Sequence, residues 1–444
     1  MKGVLILTLL VFLLGAEVIA GSEVTVKEAT TSGAGDEDLY PVLKLNSLIE
    51  RANKENHEIV MVKARIESSR YRIPQEGALP DPKVMIGYEN EGWSRYTYGE
   101  MPGARWMVSV SQTFPWHGKL SLQKKASKKE SDSVYELYER TRLSVIEELK
   151  IRYYELYYAW KGLDIIEEKL KLFELLEEIA SKRYSSGMAP LGDLTMAQTE
   201  KYMALQEKIM FRQKIESLQA RINSLIARDA GLPLGRPEEL ISEKIEINEE
   251  IIKNSIEDSP DIKEKKSLLE VRELRYQRAR LDYYPDITLT GTISLKPDPY
   301  KDMWGLTVTL NIPLFYRSKQ RMAILEKSSK RDEAYHELEQ TRQMVASRIL
   351  DILSMIKASE ELLELYKKTF IPKAEQSLEA NISAYRAGRI ELVQVIKALN
   401  SLLDYKLMYW LQVAERQKAI ARLERLLGRH LSYIKEGIYD SKKD

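Results

Sequence analysis

Apolar residues recur at alternating steps of three and four along much of the chain. The clearest series lies near the carboxyl end, at Leu392, Val395, Leu399, Leu402, Tyr409, Val413, Ile420, Leu423 and Leu427. Two charged residues, Lys406 and Arg416, interrupt it. A repeat of about 3.5 residues buries one seam against neighbouring helices, as in coiled coils. This periodicity predicts long, laterally packed helices at roughly 43–73, 119–185, 191–228, 249–281, 318–386 and 390–427.

Four shorter segments instead alternate between apolar and small polar residues. The clearest of them places Ile287, Leu289, Ile293 and Leu295 between the hydroxyl residues Thr288, Thr290, Thr292 and Ser294. The four predicted strands are 83–90, 104–114, 287–295 and 304–312. Such alternation is typical of strands with lipid on one side and water on the other, and about nine or ten residues suffice for a tilted membrane-spanning strand. A half-buried sheet in a periplasmic domain is the alternative.

Strands that lie in lipid require the chain to assemble with copies of itself. An open sheet edge would leave backbone groups without hydrogen bonds in lipid. A membrane barrel needs at least about eight strands, so two, three or four copies of the chain would supply roughly eight, twelve or sixteen. The sequence pattern therefore predicts an oligomer without choosing among these numbers.

The chain consists of two similar halves that are offset by about 200 residues. Similarity at a fixed offset is the signature of an internal repeat. The matched segments are Pro80-Asp81 with Pro285-Asp286, Thr113-Phe114-Pro115 with Asn311-Ile312-Pro313, Val134-Tyr135 with Ala334-Tyr335, and Tyr184–Gly187 with Tyr385–Gly388. Each half predicts a helix, two strands, a very long helix, a glycine turn and another long helix. We therefore divide the chain into a first repeat at 43–230, a linker at 231–248 and a second repeat at 249–431.

The amino terminus has the character of a secretory signal peptide over residues 1–20. Lys2 supplies a positive start, Val4–Gly15 is a continuous apolar run, and Val18-Ile19-Ala20 offers small residues for cleavage. A short membrane anchor is the alternative, although the apolar run is shorter than the roughly 20 residues of a spanning helix. We expect a flexible leader at 21–42 and a polar tail at 432–444.

Charge and composition argue against several classes of function. The formal net charge is +1, whereas phosphate binding requires a basic surplus, so nucleic acid is not a predicted partner. The chain has no cysteine, and its histidines, His57, His117, His336 and His430, lack the spacing of helical metal ligands. No Ser-His-Asp order and no phosphate-binding glycine loop is found. We therefore expect no enzyme activity, no catalytic residue, no metal site and no cofactor.

A specific motif lies where the second predicted strand gives way to a helix, within Gln112–Leu120. Together with the duplicated layout, this motif resembles the TolC family of outer-membrane efflux proteins, nearest the branch of heavy-metal and cation exporters. The resemblance covers nearly the whole mature chain, roughly Leu43 to Leu431. Its signature residues are Phe114, Pro115, Trp116, Gly118 and Lys119, with Pro313 at the matching place in the second half.

The resemblance implies both an architecture and a set of partners. The chain would be mainly helical with membrane strands, and would form a homotrimer with a twelve-stranded transmembrane β-barrel above a periplasmic α-helical barrel. Such ducts work with a periplasmic adaptor and an inner-membrane pump, for which we expect the RND type, and they contact outer-membrane lipid. The implied function is passive conduction of substrate from pump and adaptor across the periplasm and outer membrane.

The resemblance also implies a gate at the periplasmic tip, where two Tyr-x-x-Gly turns end the long helices. These turns are Tyr184–Gly187 and Tyr385–Gly388. Glycine suits a helix end that needs a left-handed residue, so a purely structural role is the alternative. The best-known members pair an acid six residues after the first glycine with the second tyrosine. The matching residues, Asp193 and Tyr385, are therefore expected to hold the tip closed.

One part of the family's tip pattern is not present in this chain. The same members carry acids six and nine residues after the second glycine, and these acids form a cation-binding ring at the constriction. Gln394 and Lys397 occupy those positions here, which puts such a ring in doubt. Glu391 could supply negative charge nearby.

Two other functions are compatible with the sequence. The same fold could serve as the exit duct of a type I protein secretion system. A soluble coiled-coil scaffold with a small sheet domain would also explain the helices, and it would remain soluble without detergent. The cargo is equally open, since metal ions and small toxic compounds both suit a passive duct.

Overall fold

A computed structural model describes residues 41–240 and 255–429 of the chain, and these residues are mainly helical with two small sheets. The helices are α1 (Leu45–Glu55), α2 (His57–Gly77), α3 (Lys119–Ser185), α4 (Leu191–Leu225), α5 (Pro260–Arg280), α6 (Gln320–Leu365), α7 (Ile371–Arg386) and α8 (Leu392–Leu427). The strands are β1 (Val42–Leu43), β2 (Lys83–Glu89), β3 (Arg105–Phe114), β4 (Arg236–Pro237), β5 (Ile287–Leu295) and β6 (Met303–Leu310). Helix α3 has 67 residues. At 1.5 Å per residue it is about 100 Å long.

The helices pack along their length rather than around a central point. Helices α2 and α4 both pack against α3, and helices α5 and α8 both pack against α6. Contacts of α3 with α5 and α8 join the two halves. Two shorter helices thus accompany each long helix, which produces an elongated molecule.

The seam predicted on α8 is buried, apart from Tyr409, which is half-buried. The charged residues that interrupt the seam have partners on other helices. Arg416 is only 3% exposed, and its Nε donates to Oε1 of Glu360 at 3.0 Å. Lys406 donates to Oε1 of Glu168 at 3.0 Å. Because a buried charge is costly unless it is paired, these ion pairs let both residues lie within the packed helices.

The first predicted helix, 43–73, is wrong as a single element. Helix α1 ends at Glu55, and α2 begins at His57. Between them Asn56 has an extended backbone, and its Oδ1 accepts hydrogen bonds from the N–H groups of Glu58 and Ile59. An asparagine that satisfies free N–H groups in this way starts a new helix. Its Nδ2 also donates to the carbonyl of Leu225, which fixes the break against the end of α4.

The second half departs from its predicted helices in two places. The predicted helix 318–386 is divided by a π-helical turn at Tyr366–Phe370, just before Pro372. Proline lacks the N–H that continues an α-helix, and π turns accommodate such interruptions. The α-helix predicted at 249–281 begins at Pro260. Proline is tolerated there because the first residues of a helix need no N–H partner. Residues 249–254 lie outside the described residues.

Two sheets connect distant parts of the chain. Strands β2, β3, β5 and β6 form one antiparallel sheet in that order. Strands β1 and β4 form a short parallel pair. This pair joins Val42, at the end of the predicted leader, to Arg236 of the predicted linker. The rest of the leader, residues 241–248 of the linker, the signal peptide and the polar tail lie outside the described residues.

Among the described residues, no helix combines the length and the apolar character that a membrane-spanning helix requires.

Candidate functional site

The four-stranded sheet has one apolar face and one hydroxyl-rich face. The strand register puts Val110, Gly291 and Leu306 in one row across the sheet, and Ser111, Thr290 and Thr307 in the next. Side chains directly opposite each other in a sheet share a face. The apolar face therefore carries Val84, Ile86 and Tyr88 of β2, Trp106, Val108 and Val110 of β3, Ile287, Leu289 and Ile293 of β5, and Trp304, Leu306 and Val308 of β6.

Aromatic side chains lie at both ends of this sheet. At the end away from the long helices, Tyr88 stacks on Tyr96 with ring centroids 4.9 Å apart, and Trp106 lies 5.1 Å from Tyr88. At the helix end, the rings of Trp116 and Tyr284 are stacked 4.9 Å apart. Aromatic residues at both boundaries of an apolar band are typical of strands that cross a membrane.

The predicted signature joins the two halves at the helix end of the sheet. Phe114 ends β3 opposite Ile287, and after Pro115 the N–H of Trp116 donates to Oδ1 of Asp286 at 2.8 Å. Lys119 is 6% exposed, and its ammonium donates to the same Asp286 oxygen at 2.9 Å.

Two further features complete this junction. The Lys119 ammonium also donates to the carbonyl of Tyr284 at 3.2 Å and lies 3.4 Å from Oδ1 of Asp282. Gly118 has a φ of 91°, which other residues rarely adopt, and an added Cβ would approach Leu281 to 3.2 Å. The signature therefore docks the start of α3 onto the segment between α5 and β5. Sequence reasoning did not predict Asp286 and Tyr284 as site residues, although Asp286 belongs to a Pro-Asp pair that recurs in both halves.

The matching junction in the second half makes no ion pair within the described residues, although its Tyr316 ring lies 6.3 Å from the Tyr283 ring. Pro313 lies in the segment between β6 and α6. The side chains after it are exposed, with Leu314 at 76% and Phe315 at 77%. The two junctions are thus related in sequence but differ in their surroundings.

At the other end of the long helices, the structure brings together Asp193 and Tyr385, as predicted from the resemblance. The Tyr385 hydroxyl donates to Oδ2 of Asp193 at 3.1 Å, although the side chain is only 1% exposed. Burial, followed by the hydrogen bond to Asp193, raises the pKa of Tyr385 to about 12. The phenol therefore remains protonated and able to donate at any physiological pH.

Arg183 is a tip residue that sequence reasoning missed. Its guanidinium lies 4.5 Å from the centre of the Tyr385 ring and donates to the backbone carbonyls of Tyr385 and Met188. The Tyr385 carbonyl belongs to the last turn of α7, where carbonyls lack α-helical partners, and the Met188 carbonyl lies in the turn that follows α3. Arg183 thus ties together the turns of both halves. No sequence signal distinguishes it from other basic residues in a last helical turn, because its role depends on contacts across the repeat.

The remaining predicted tip residues have mainly exposed side chains. Gly187 and Gly388 have φ values of 71° and 72°, so both turns use the left-handed conformation that glycine favours. Tyr184 is 45% exposed. Glu391, Gln394 and Lys397 are exposed at the start of α8, and the Glu391 side chain makes no capping hydrogen bond.

The fold and these sites correspond to a known protein family. The family described as "Outer membrane efflux protein" matches residues 48–228 and 251–429, which is more than half of the chain. The chain belongs to this family. The predicted family and the predicted outer-membrane location are therefore confirmed.

Several known proteins are similar to this efflux protein. CzcC of Cupriavidus metallidurans, a cobalt-zinc-cadmium resistance protein, is 22% identical over 180 residues, which cover 40% of this chain and 43% of CzcC. The chain therefore spans less than half the length of CzcC. CusC, a cation efflux system protein of Escherichia coli O6:H1, is 19% identical over 81% of this chain and 80% of its own length. The structure of the outer membrane protein VceC of Vibrio cholerae shares the fold, with a TM-score of 0.75, 18% identity, and coverage of 87% of this chain and 96% of VceC.

Proposed function

We propose that this efflux protein is one subunit of a homotrimeric exit duct across the outer membrane. The observation that carries the proposal is the strand register, because it places aliphatic and aromatic side chains on one face of all four strands and hydroxyls on the opposite face of β3, β5 and β6. The apolar face would contact lipid, and the hydroxyl face would line a water-filled passage.

The internal repeat explains how such a sheet would close. Within one chain, β3 of the first half pairs with β5 of the second half. The equivalent pairing for the remaining edges joins β6 of one copy to β2 of the next. Both edge strands have no further partner among the described residues. Three copies would give about twelve strands, well above the minimum of about eight, and would leave no edge in lipid.

Below the sheet, the paired long helices would form the wall of a periplasmic tunnel. Helix α3 is about 100 Å long, so the tunnel could extend far into the periplasm. We propose that it meets a periplasmic adaptor and an inner-membrane pump of the RND type. The duct would not consume energy, and we expect neither enzyme activity nor a resident cofactor.

The cargo that we propose is metal cations. The Phe114–Lys119 signature resembles that of the metal-exporting branch, and CzcC and CusC are named for cobalt-zinc-cadmium resistance and cation efflux. The toluene efflux protein TtgC of Pseudomonas putida, 25% identical over 47% of this chain, represents the organic alternative. Export assays with Co²⁺, Zn²⁺, Cd²⁺ and toluene in cells that lack their own ducts would separate these cargoes.

The tip contacts support a gate at the periplasmic end. Tyr385, Asp193 and Arg183 connect the turn of the second half to both helices of the first half. Separation of the two helix pairs at the tip would break these contacts. The rest of the tunnel wall consists of continuous helices, so passage of cargo there requires no contact to break. We propose that this set of contacts holds the duct closed in the absence of the adaptor.

The duct is tested by purification of the mature protein. We expect extraction only with detergent, a native mass of three chains, and small ion currents in planar bilayers. The soluble scaffold instead predicts a stable protein in plain buffer and no currents. A single-chain mass in detergent together with an absence of currents would overturn the duct.

A further inference from the structure

Two equivalent basic residues at the starts of the long helices have opposite surroundings. Lys119 is the first residue of α3, is 6% exposed and pairs with Asp286. Lys319 precedes α6 and is exposed, and its side chain forms no ion pair with any residue of 41–240 or 255–429. The same difference holds for the acids, since Asp81 is exposed and has no ion pair in the described part of the chain, unlike Asp286.

The repeat makes these residues equivalent. Tyr135 on α3 matches Tyr335 on α6, and both helices run without interruption back to their starts. Neither helix contains a π turn between its start and this tyrosine, so the offset of 200 that relates the tyrosines also relates Leu120 to Gln320 and, one position earlier, Lys119 to Lys319. The acids are matched by the Pro-Asp pairs that precede β2 and β5. The second junction is longer than the first, and its additional residues therefore lie in the segment between β6 and α6.

We infer that Lys319 of one copy pairs with Asp81 of the next copy, as Lys119 pairs with Asp286 within a chain. The inference rests on the proposed oligomeric duct, and it names the contact that closes it at the helix end of the sheet. Asp81 and Lys319 have no ion pair within the described chain, and they match the two partners of a buried ion pair. They are therefore complementary in charge and in position. The second junction is therefore complete only when Asp81 of the next copy binds Lys319.

Exposed apolar side chains support the same contact. In the first junction Trp116 stacks on Tyr284, and the residue that matches Tyr284 in the first half is Leu79. Leu79 is 49% exposed, and Leu314 and Phe315 of the second junction are still more exposed. Docking of the second junction on the next copy would cover these three side chains together. Large apolar residues clustered beside an unpaired charge are typical of an interface.

Zero-length carbodiimide cross-linking tests the pair directly, because it couples a carboxylate to an amine in contact. The full chain is assembled in detergent from an equal mixture of ¹⁴N- and ¹⁵N-labelled protein. We expect a peptide that joins Asp81 to Lys319 and contains one light and one heavy half. The matched control, Lys319→Arg, keeps the positive charge but offers no amine, so this cross-link is lost while the native mass remains that of three chains.

Charge reversal provides the second measurement. We expect Lys319→Glu and Asp81→Lys each to lower the fraction of assembled protein about tenfold, and the double variant to restore most of it. The inference is overturned if the three-chain assembly forms but Asp81 couples only within its own chain, for example to Lys83, or if both single reversals assemble normally. A single-chain mass of the unaltered protein would instead contradict the proposed duct itself.

Discussion

The Tyr385 hydroxyl donates a hydrogen bond to Oδ2 of Asp193 at 3.1 Å and thereby joins the end of α7 to the first turn of α4. The two residues are 192 positions apart, and each belongs to a different half of the repeat. The bond therefore links the two helix pairs at the point where an opening of the tip would separate them.

Removal of this hydroxyl should weaken the closed tip. A hydrogen bond to a charged group contributes about 1.5–3 kcal/mol, so Tyr385→Phe should raise the closed-state current in planar bilayers about tenfold or more. Tyr184→Phe is the matched control, because Tyr184 is exposed and its hydroxyl has no partner among the described residues. An unchanged closed-state current in Tyr385→Phe would remove this pair from the gate.

The same contact sets the pH range of closure. Folding raises the pKa of Tyr385 from 10.0 to about 12, so the closed tip favours the protonated phenol. This contribution is fully present below pH 10 and is lost as the pH rises through about 12. We expect constant closed-state current from about pH 6 to 9 and a rise only in strong alkali, which Tyr385→Phe no longer shows. A rise that begins near neutrality would contradict this assignment.

Arg183 should contribute to closure through geometry as well as charge. Its planar guanidinium stacks on Tyr385 and donates to two carbonyls at once, whereas a lysine ammonium cannot reproduce both contacts. Arg183→Ala should raise the closed-state current and speed hydrogen exchange in both turns, and Arg183→Lys should recover only part of the loss. Lys182→Ala is the control, because Lys182 is exposed and its ion pair among the described residues is with Glu178 of the same helix. Equal effects of the two neighbouring alanine variants would refute a specific role.

The signature junction predicts a stability effect that is separate from gating. Lys119→Met leaves Asp286 and Asp282 without their shared cation and should lower the free energy of unfolding by about 2–3 kcal/mol, since both acids are partly exposed. Thermal unfolding of the detergent-solubilised protein measures this change. Lys125→Met removes an exposed lysine from the same helix and should have little effect. The idea fails if the two variants unfold at the same temperature.

The proposed joint between copies also has a predicted strand register. Val110 pairs with Gly291 within the chain. In the internal repeat, Val308 is equivalent to Val110, and Ile86 is equivalent to Gly291. Because the chain lacks cysteine, any disulfide must come from introduced residues. Ile86→Cys with Val308→Cys should yield disulfide-linked dimers and trimers under oxidising conditions, since directly opposed residues have suitable spacing.

The neighbouring position provides the control for this cross-link. Thr307 points to the opposite face of β6, so Ile86→Cys with Thr307→Cys should not form the disulfide. Equal cross-linking of both pairs would show that the edges meet only by random collision.

The sequence predicted the long helices and the four strands well because their patterns are local. A seam such as Leu392 to Leu427 and an alternation such as Ile287 to Leu295 depend only on periodic burial, which each segment carries by itself. The break at Asn56 was missed because an asparagine between two apolar stretches is compatible with a continuous helix until its side chain bonds the next turn. The resemblance brought Asp193 and Tyr385 together in advance, but it did not reveal Arg183.

The duplicated plan of this protein, the two faces of its strands and its family follow from the amino-acid sequence alone, since each of these is a repeated pattern of residue types. The residues of the two halves that meet are defined by the folded chain. Lys119 with Asp286 and Arg183 with Tyr385 are contacts across more than 160 residues of chain, and their positions follow from how whole helices pack. Periodicity defines the face on which a side chain lies, whereas the partner on that face depends on the relative position of separate elements.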